Sequence, residues 1–156
     1  MMPTIDATPA VLWHYTVASR LQRILADGVL KRATTGLRKG ERAGVWFTRR
    51  VDWEPTATTW LRGADGRFRA ATKEEMVTLG FARVGVAPDV ARTTWAQHRR
   101  FGGLLWPDAE AVERNARQQG SDPEAWRASY KDIPQARWTC VETSADGVTW
   151  TAHPRV

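Results

Sequence analysis

Few groups in this chain of 156 residues could do chemistry, and their spacing limits what that chemistry can be. Histidines stand at positions 14, 98 and 153 with no Cys, Asp or His at ligand spacing, so no metal centre is expected. The lone cysteine, Cys140, excludes an internal disulfide and reads as a buried, inert thiol in the alternating run Trp138-Thr139-Cys140-Val141. Ser129-Tyr130-Lys131 has no partner base in view, so no hydrolase is read there. Neither G-x-G-x-x-G nor G-x-x-x-x-G-K-[ST] occurs, which removes the Rossmann and P-loop phosphate cradles. What remains is His14 in the run Leu12-Trp13-His14-Tyr15-Thr16, the aromatic run Gly44-Val45-Trp46-Phe47-Thr48, and two carboxylates, Glu142 and Glu54. By residue type alone His14 is either a hydrogen-bonded core histidine or a functional group. Glu54, in Trp53-Glu54-Pro55-Thr56, reads as a solvated loop residue, with acid-base or ribose-binding work as its second choice.

Nine tryptophans are more than a core of this size needs, because each buried indole N–H must find an acceptor; some of them should line a pocket or groove. Arg38-Lys39-Gly40-Glu41-Arg42 and His98-Arg99-Arg100 are either solvated faces or contacts for phosphate, of a nucleotide or of nucleic acid. The formal charge of +6 points in the same direction, weakly. The first residues lack a basic segment leading into an apolar run, and no stretch approaches ~20 apolar residues, so a cytoplasmic protein without a membrane span is expected.

The elements that must position these groups make a single α+β domain over residues 11–156, after a mobile lead-in over 1–10. Residues 11–16 read as a buried strand running into an amphipathic helix, with Thr16 as cap, Val17, Leu21, Ile24 and Leu25 on one face, and Gly28 as its left-handed stop. Residues 33–43 should be an exposed loop and 44–48 a second strand. A short helix is expected over 52–61, a turn over 63–66, and a capping box at Thr72-Lys73-Glu74-Glu75 opening a helix that Gly80 ends. Residues 81–86 alternate as a strand, 108–119 look helical, and Asp122-Pro123 should open another short helix to about residue 128. Residues 138–142 and 148–151 should form a hairpin about Asp146-Gly147.

The first strand with its His-Tyr-Thr, the helix with Ile24-Leu25, the segment Gly28-Val29-Leu30 and the second strand Gly44-Val45-Trp46-Phe47-Thr48 resemble, in order and spacing, the start of the ADP-ribosyltransferase superfamily. The likeness is to its poly(ADP-ribose) polymerase and diphtheria-toxin branch, and it covers about 40 residues, roughly 11–50. It implies a split mixed or antiparallel sheet with short inserted helices. It also implies NAD as substrate, a protein or nucleic-acid acceptor, and a bacterial toxin or defence effector as the kind of transferase.

Such chemistry breaks the nicotinamide–ribose bond through an oxocarbenium-like state, so the site must hold the amide, stack the ring and orient the ribose. By position, the resemblance assigns His14 to the adenosine-side ribose, the Tyr15 backbone to the nicotinamide amide and Thr16 to bracing the turn. Trp46 would stack on nicotinamide and Thr48 would close the pocket, with Phe47 beside them and Arg38 on the phosphates. Tyr15, larger than the family's usual residue there, either narrows the cleft or itself supplies the stacking ring. Glu142 is the carboxylate on a C-terminal strand and, with His14, the catalytic candidate. If residues 126–130 are instead the equivalent strand, no carboxylate holds that position, and the domain is a non-catalytic module binding a nucleotide or single-stranded nucleic acid.

Overall fold

A computed structural model describes residues 11–154; the expected lead-in over 1–10 lies outside them. The strands are β1 (Leu12–Val17), β2 (Val29–Leu30), β3 (Val45–Thr48), β4 (Trp60–Arg62), β5 (Phe68–Ala70), β6 (Phe81–Val86), β7 (Thr93–Thr94), β8 (Trp126–Ser129), β9 (Ile133–Pro134), β10 (Trp138–Ser144) and β11 (Thr151–Ala152). The helices are α1 (Ala18–Asp27), α2 (Lys73–Thr78), α3 (Trp95–Phe101) and α4 (Trp106–Gln118). Seven strands form one sheet in the order β11-β10-β6-β1-β3-β8-β7, with two-stranded pairs β2-β9 and β4-β5 beside it. Every pairing is antiparallel, so the protein is an α+β domain built on an antiparallel sheet.

Alternation along β1 and β6 loads both faces of the sheet with apolar side chains. One face holds Leu12, Val45, Phe47, Val84, Val86 and Val141, covered by Leu21, Ile24 and Leu25 of α1. The other holds Trp13, Tyr15, Val17 and Phe81, covered by Met76 of α2 and by Trp53, Ala57 and Leu61. A third cluster, Trp95, Ala109, Ala116 and Trp126, docks α3 and α4 onto β8. With both faces of the sheet covered, β6 is buried along its whole length, although residues 81–86 alternate.

Local signals are mostly obeyed. Gly28 closes α1 at φ 66 with its N–H on the Ile24 carbonyl, and Thr72 with Glu75 makes both bonds of a capping box. Five expectations need correction. Thr16 does not cap α1: it stays in β1, buried, and the N-cap is Val17 with no side-chain bond. Residues 52–61 are not a helix but irregular chain leading into β4, which pairs with β5 across the 63–66 turn. After Asp122-Pro123 a single 3-10 turn, Pro123–Ala125, gives way to β8, which β3 recruits as its neighbour. The C-terminal hairpin has a longer loop than two residues, organised by the Asp146 carboxylate, which accepts from the Val148 and Thr149 N–H groups at 2.8 and 2.7 Å. Those backbone donors hold its pKa down to about 2. Cys140 is half-buried, not sealed. Helix α3, with its own capping box from Thr94 and Gln97, had no counterpart in the sequence reading.

Candidate functional site

The joint between β1 and β3 sets the site. The two strands share one registered pair, Trp13↔Thr48, and where the ladder would run on, the Trp46 carbonyl instead accepts from His14 Nδ1 at 2.8 Å. Side-chain alternation from that pair puts Trp13, Tyr15, Trp46 and Thr48 on one face and His14 with Phe47 on the other, their rings 5.8 Å apart and edge-on. The imidazole and the indole therefore leave their strands on opposite faces, although both residues line the first cleft. They mark two clefts, of about 510 and 450 Å³, that meet at this seam.

The first cleft is lined by His14, Thr16, Arg20, Arg23, Asp27 and Lys31, with Lys31 paired to Asp27 at 3.3 Å. Because Nδ1 donates to a carbonyl, Nε2 is the acceptor of the His14 ring. The second cleft is aromatic, with Trp13, Trp46, Trp60, Trp95 and Trp126 in its walls and Glu54 among them. Tyr15, Trp46, Thr56 and Ala57 line both. The Tyr15 ring is itself buried, its hydroxyl donates to the Arg50 carbonyl at 2.6 Å, and burial pushes its pKa up to about 12. Trp46 packs against Trp95, Trp126 and His98, with ring centroids 6.1, 6.3 and 4.8 Å away. Phe47 and Thr48 line the aromatic cleft, and so does Arg38, expected on phosphate.

Burial holds the His14 pKa below its ordinary 6.5, against the bond to Trp46 that would raise it. The unfolded chain then takes up a proton that the folded protein resists. The fold loses stability as pH falls through about 6.5 toward the depressed folded value, and is unaffected above it. Urea melts of His14→Gln should accordingly show a shallower decline between about pH 7 and 5 than the parent. Equal slopes would mean that His14 titrates as freely folded as unfolded.

The two candidate carboxylates sit apart from each other and in different surroundings. Glu142 sits on β10, two strands from β1, and lines neither cleft. Its Oε1 accepts from Arg83 Nε and lies 2.7 Å from Nη2, while Arg83 is sandwiched between the rings of Trp13 and Trp150 at 3.7 and 4.1 Å. Glu142 thus neutralises a buried arginine. Glu142→Ala should cost about 2 kcal/mol in urea unfolding, less than the ~3–5 of a fully buried pair because Glu142 is 24% exposed. A loss under about 0.5 kcal/mol would show that Arg83 does not need it.

Glu54 is no solvated loop residue; it is 3% exposed. Its Oε1 accepts from Thr48 Oγ1 and Trp126 Nε1 at 3.0 and 3.1 Å. Its Oε2 accepts from Ser121 Oγ, Thr56 Oγ1 and Thr56 N at 2.5, 2.9 and 3.2 Å. Five neutral donors converge on one carboxylate under the aromatic cleft. A second buried chain went unread: His98 Nε2 donates to Glu41 at 2.8 Å while its Nδ1 meets the Tyr130 hydroxyl at 2.6 Å. This chain anchors Glu41, whose other carboxylate oxygen accepts from the Arg38 N–H, so both line the aromatic cleft. The signals available for it were only a His and a Tyr of unassigned role and a Glu within a charge run.

Among the described residues no group of three or more His, Cys, Asp or Glu could hold a metal ion, and no helix is long and apolar enough to cross a membrane. No protein-family model, curated protein or solved structure matches the chain.

Proposed function

We propose that the joined clefts bind NAD and that the protein is an ADP-ribosyltransferase-like enzyme acting on a macromolecular acceptor. One observation carries this reading: the two segments that resemble the superfamily, 12–16 and 44–48, form the adjacent strands β1 and β3, and both clefts open at their seam. The cleft volumes fall within the ~300–1,000 Å³ usual for small-molecule sites. Arg20, Arg23 and Lys31 suit a pyrophosphate, and His14 Nε2 is an acceptor for a ribose hydroxyl. The aromatic cleft, with the Glu54 charge behind its rings, suits a flat cation such as the nicotinamide ring and the oxocarbenium-like sugar that follows its departure.

A non-catalytic nucleotide-binding module is the second reading, favoured by three observations. Glu142 lies outside the clefts, and all five donors to Glu54 come from the protein itself. β8, next to β3, contributes no carboxylate. Titrating NAD against tryptophan fluorescence while assaying released nicotinamide separates the two. Binding with release supports the enzyme, binding without release supports the module, and no fluorescence change at millimolar NAD removes both.

A further inference from the structure

The β4–β5 hairpin stands apart from the main sheet and leaves its aromatic surface uncovered. Its register, Trp60↔Ala70, Leu61↔Arg69 and Arg62↔Phe68, puts Trp60, Arg62 and Phe68 on one face. Leu61, on the opposite face, packs into the cluster around Trp13 and Tyr15, which fixes the first face outward. There Trp60 is 62% and Phe68 65% exposed, with the Arg62 guanidinium 5.9 Å from the Phe68 ring centroid. Arg67 follows at the turn, its backbone N–H on Asp65, while Arg69 is held in a fork by Glu75 with both bonds at 2.7 Å. Neither Arg62 nor Arg67 makes an ion pair among the described residues. Trp60 also lines the aromatic cleft beside Arg38, so this face runs to the mouth of the cleft.

Protein-binding patches concentrate apolar and aromatic groups at a centre depleted of charge. The hairpin does the reverse: Arg62, which makes no ion pair among the described residues, lies by the Phe68 ring and shares its face with Trp60. Rings that accept any base face, alternating with cations that follow a phosphate backbone, are what an unpaired strand requires. A duplex keeps its bases stacked inside and offers the rings nothing. We infer that the outward face of the β4–β5 hairpin docks single-stranded nucleic acid and leads it toward the aromatic cleft. The inference is independent of whether NAD binds.

The test uses the full chain and fluorescein-labelled oligonucleotides of about 12 nucleotides, as oligothymidylate, oligouridylate and a blunt duplex, in anisotropy titrations at two salt concentrations. At least one single strand should bind about tenfold more tightly than the duplex, and the DNA and RNA arms identify which. Phe68→Ala, at an exposed position outside both clefts, should weaken single-strand binding about tenfold and leave the NAD titration unchanged. Arg62→Ala with Arg67→Ala should lower the single-strand salt slope by about 1.4. Equal affinity for duplex and single strand, wild-type affinity in Phe68→Ala, or no binding at low salt would each overturn the inference. Displacement by polyglutamate as readily as by oligonucleotide would reduce the face to a generic cationic surface and overturn it too.

Discussion

Glu54→Ala is expected to destabilise the protein by about 3 kcal/mol or more, read as a fall in the urea midpoint. The carboxylate is the shared acceptor of Thr48, Thr56, Ser121 and Trp126, groups drawn from β3, the following loop, the approach to β8 and β8 itself. Removing it takes the acceptor from three buried donors at once, on Thr48, Ser121 and Trp126, and each unsatisfied group costs about 1–3 kcal/mol before water or relaxation recovers part of it. Glu54→Gln, nearly isosteric, is the sharper variant. Its amide keeps one acceptor oxygen and turns an NH₂ toward hydroxyl and N–H groups that already donate, so about 2 kcal/mol should still be lost. The Trp126 indole bonds the carboxylate directly, so its emission should shift in both variants. A Gln variant as stable as the parent would show that the second carboxylate oxygen is not needed as an acceptor.

His14→Ala should raise the dissociation constant for NAD about tenfold to a hundredfold and reduce nicotinamide release at least as much, while near-ultraviolet circular dichroism stays native. The expected size is that of one lost hydrogen bond to a ribose together with the loosening of the Trp46 carbonyl that His14 Nδ1 holds. Trp46→Ala should have a comparable effect on affinity, with a stability loss of its own because the indole packs against Trp95, Trp126 and His98. His14 lines only the cationic cleft, whereas Trp46 lines both. Calorimetric titration that finds both variants binding NAD like the parent would leave the clefts without a dinucleotide.

What the sequence disclosed was local. A left-handed glycine at position 28, the Thr72/Glu75 box, the apolar runs of β1 and β3 and the alternating run of β6 are each decided within a few residues, and each forms where it was read. The hairpin β4–β5 was half seen: its Gly63–Gly66 turn was evident, but the arm before it shares the composition of a short helix and becomes a strand by pairing with Phe68–Ala70. β8 follows a helix-opening Asp-Pro and is a strand because β3 lies next to it. Tertiary pairing overrode propensity in both. Glu54 shows the same limit at the site. Its loop reads as solvated, and burial comes from Ser121 and Trp126, 67 and 72 residues further along the chain. Glu142 erred the other way, since its strand was visible but the claim of Arg83, 59 positions earlier, was not.

The single registered pair at the β1–β3 joint has a mechanical corollary. Four strands on one side and three on the other are each well laced, and the backbone between them is fastened once. Amide protons at that junction should therefore exchange with solvent sooner than those of the six-residue β1–β6 ladder, and a molecule lying across it would act as a rivet between two plates.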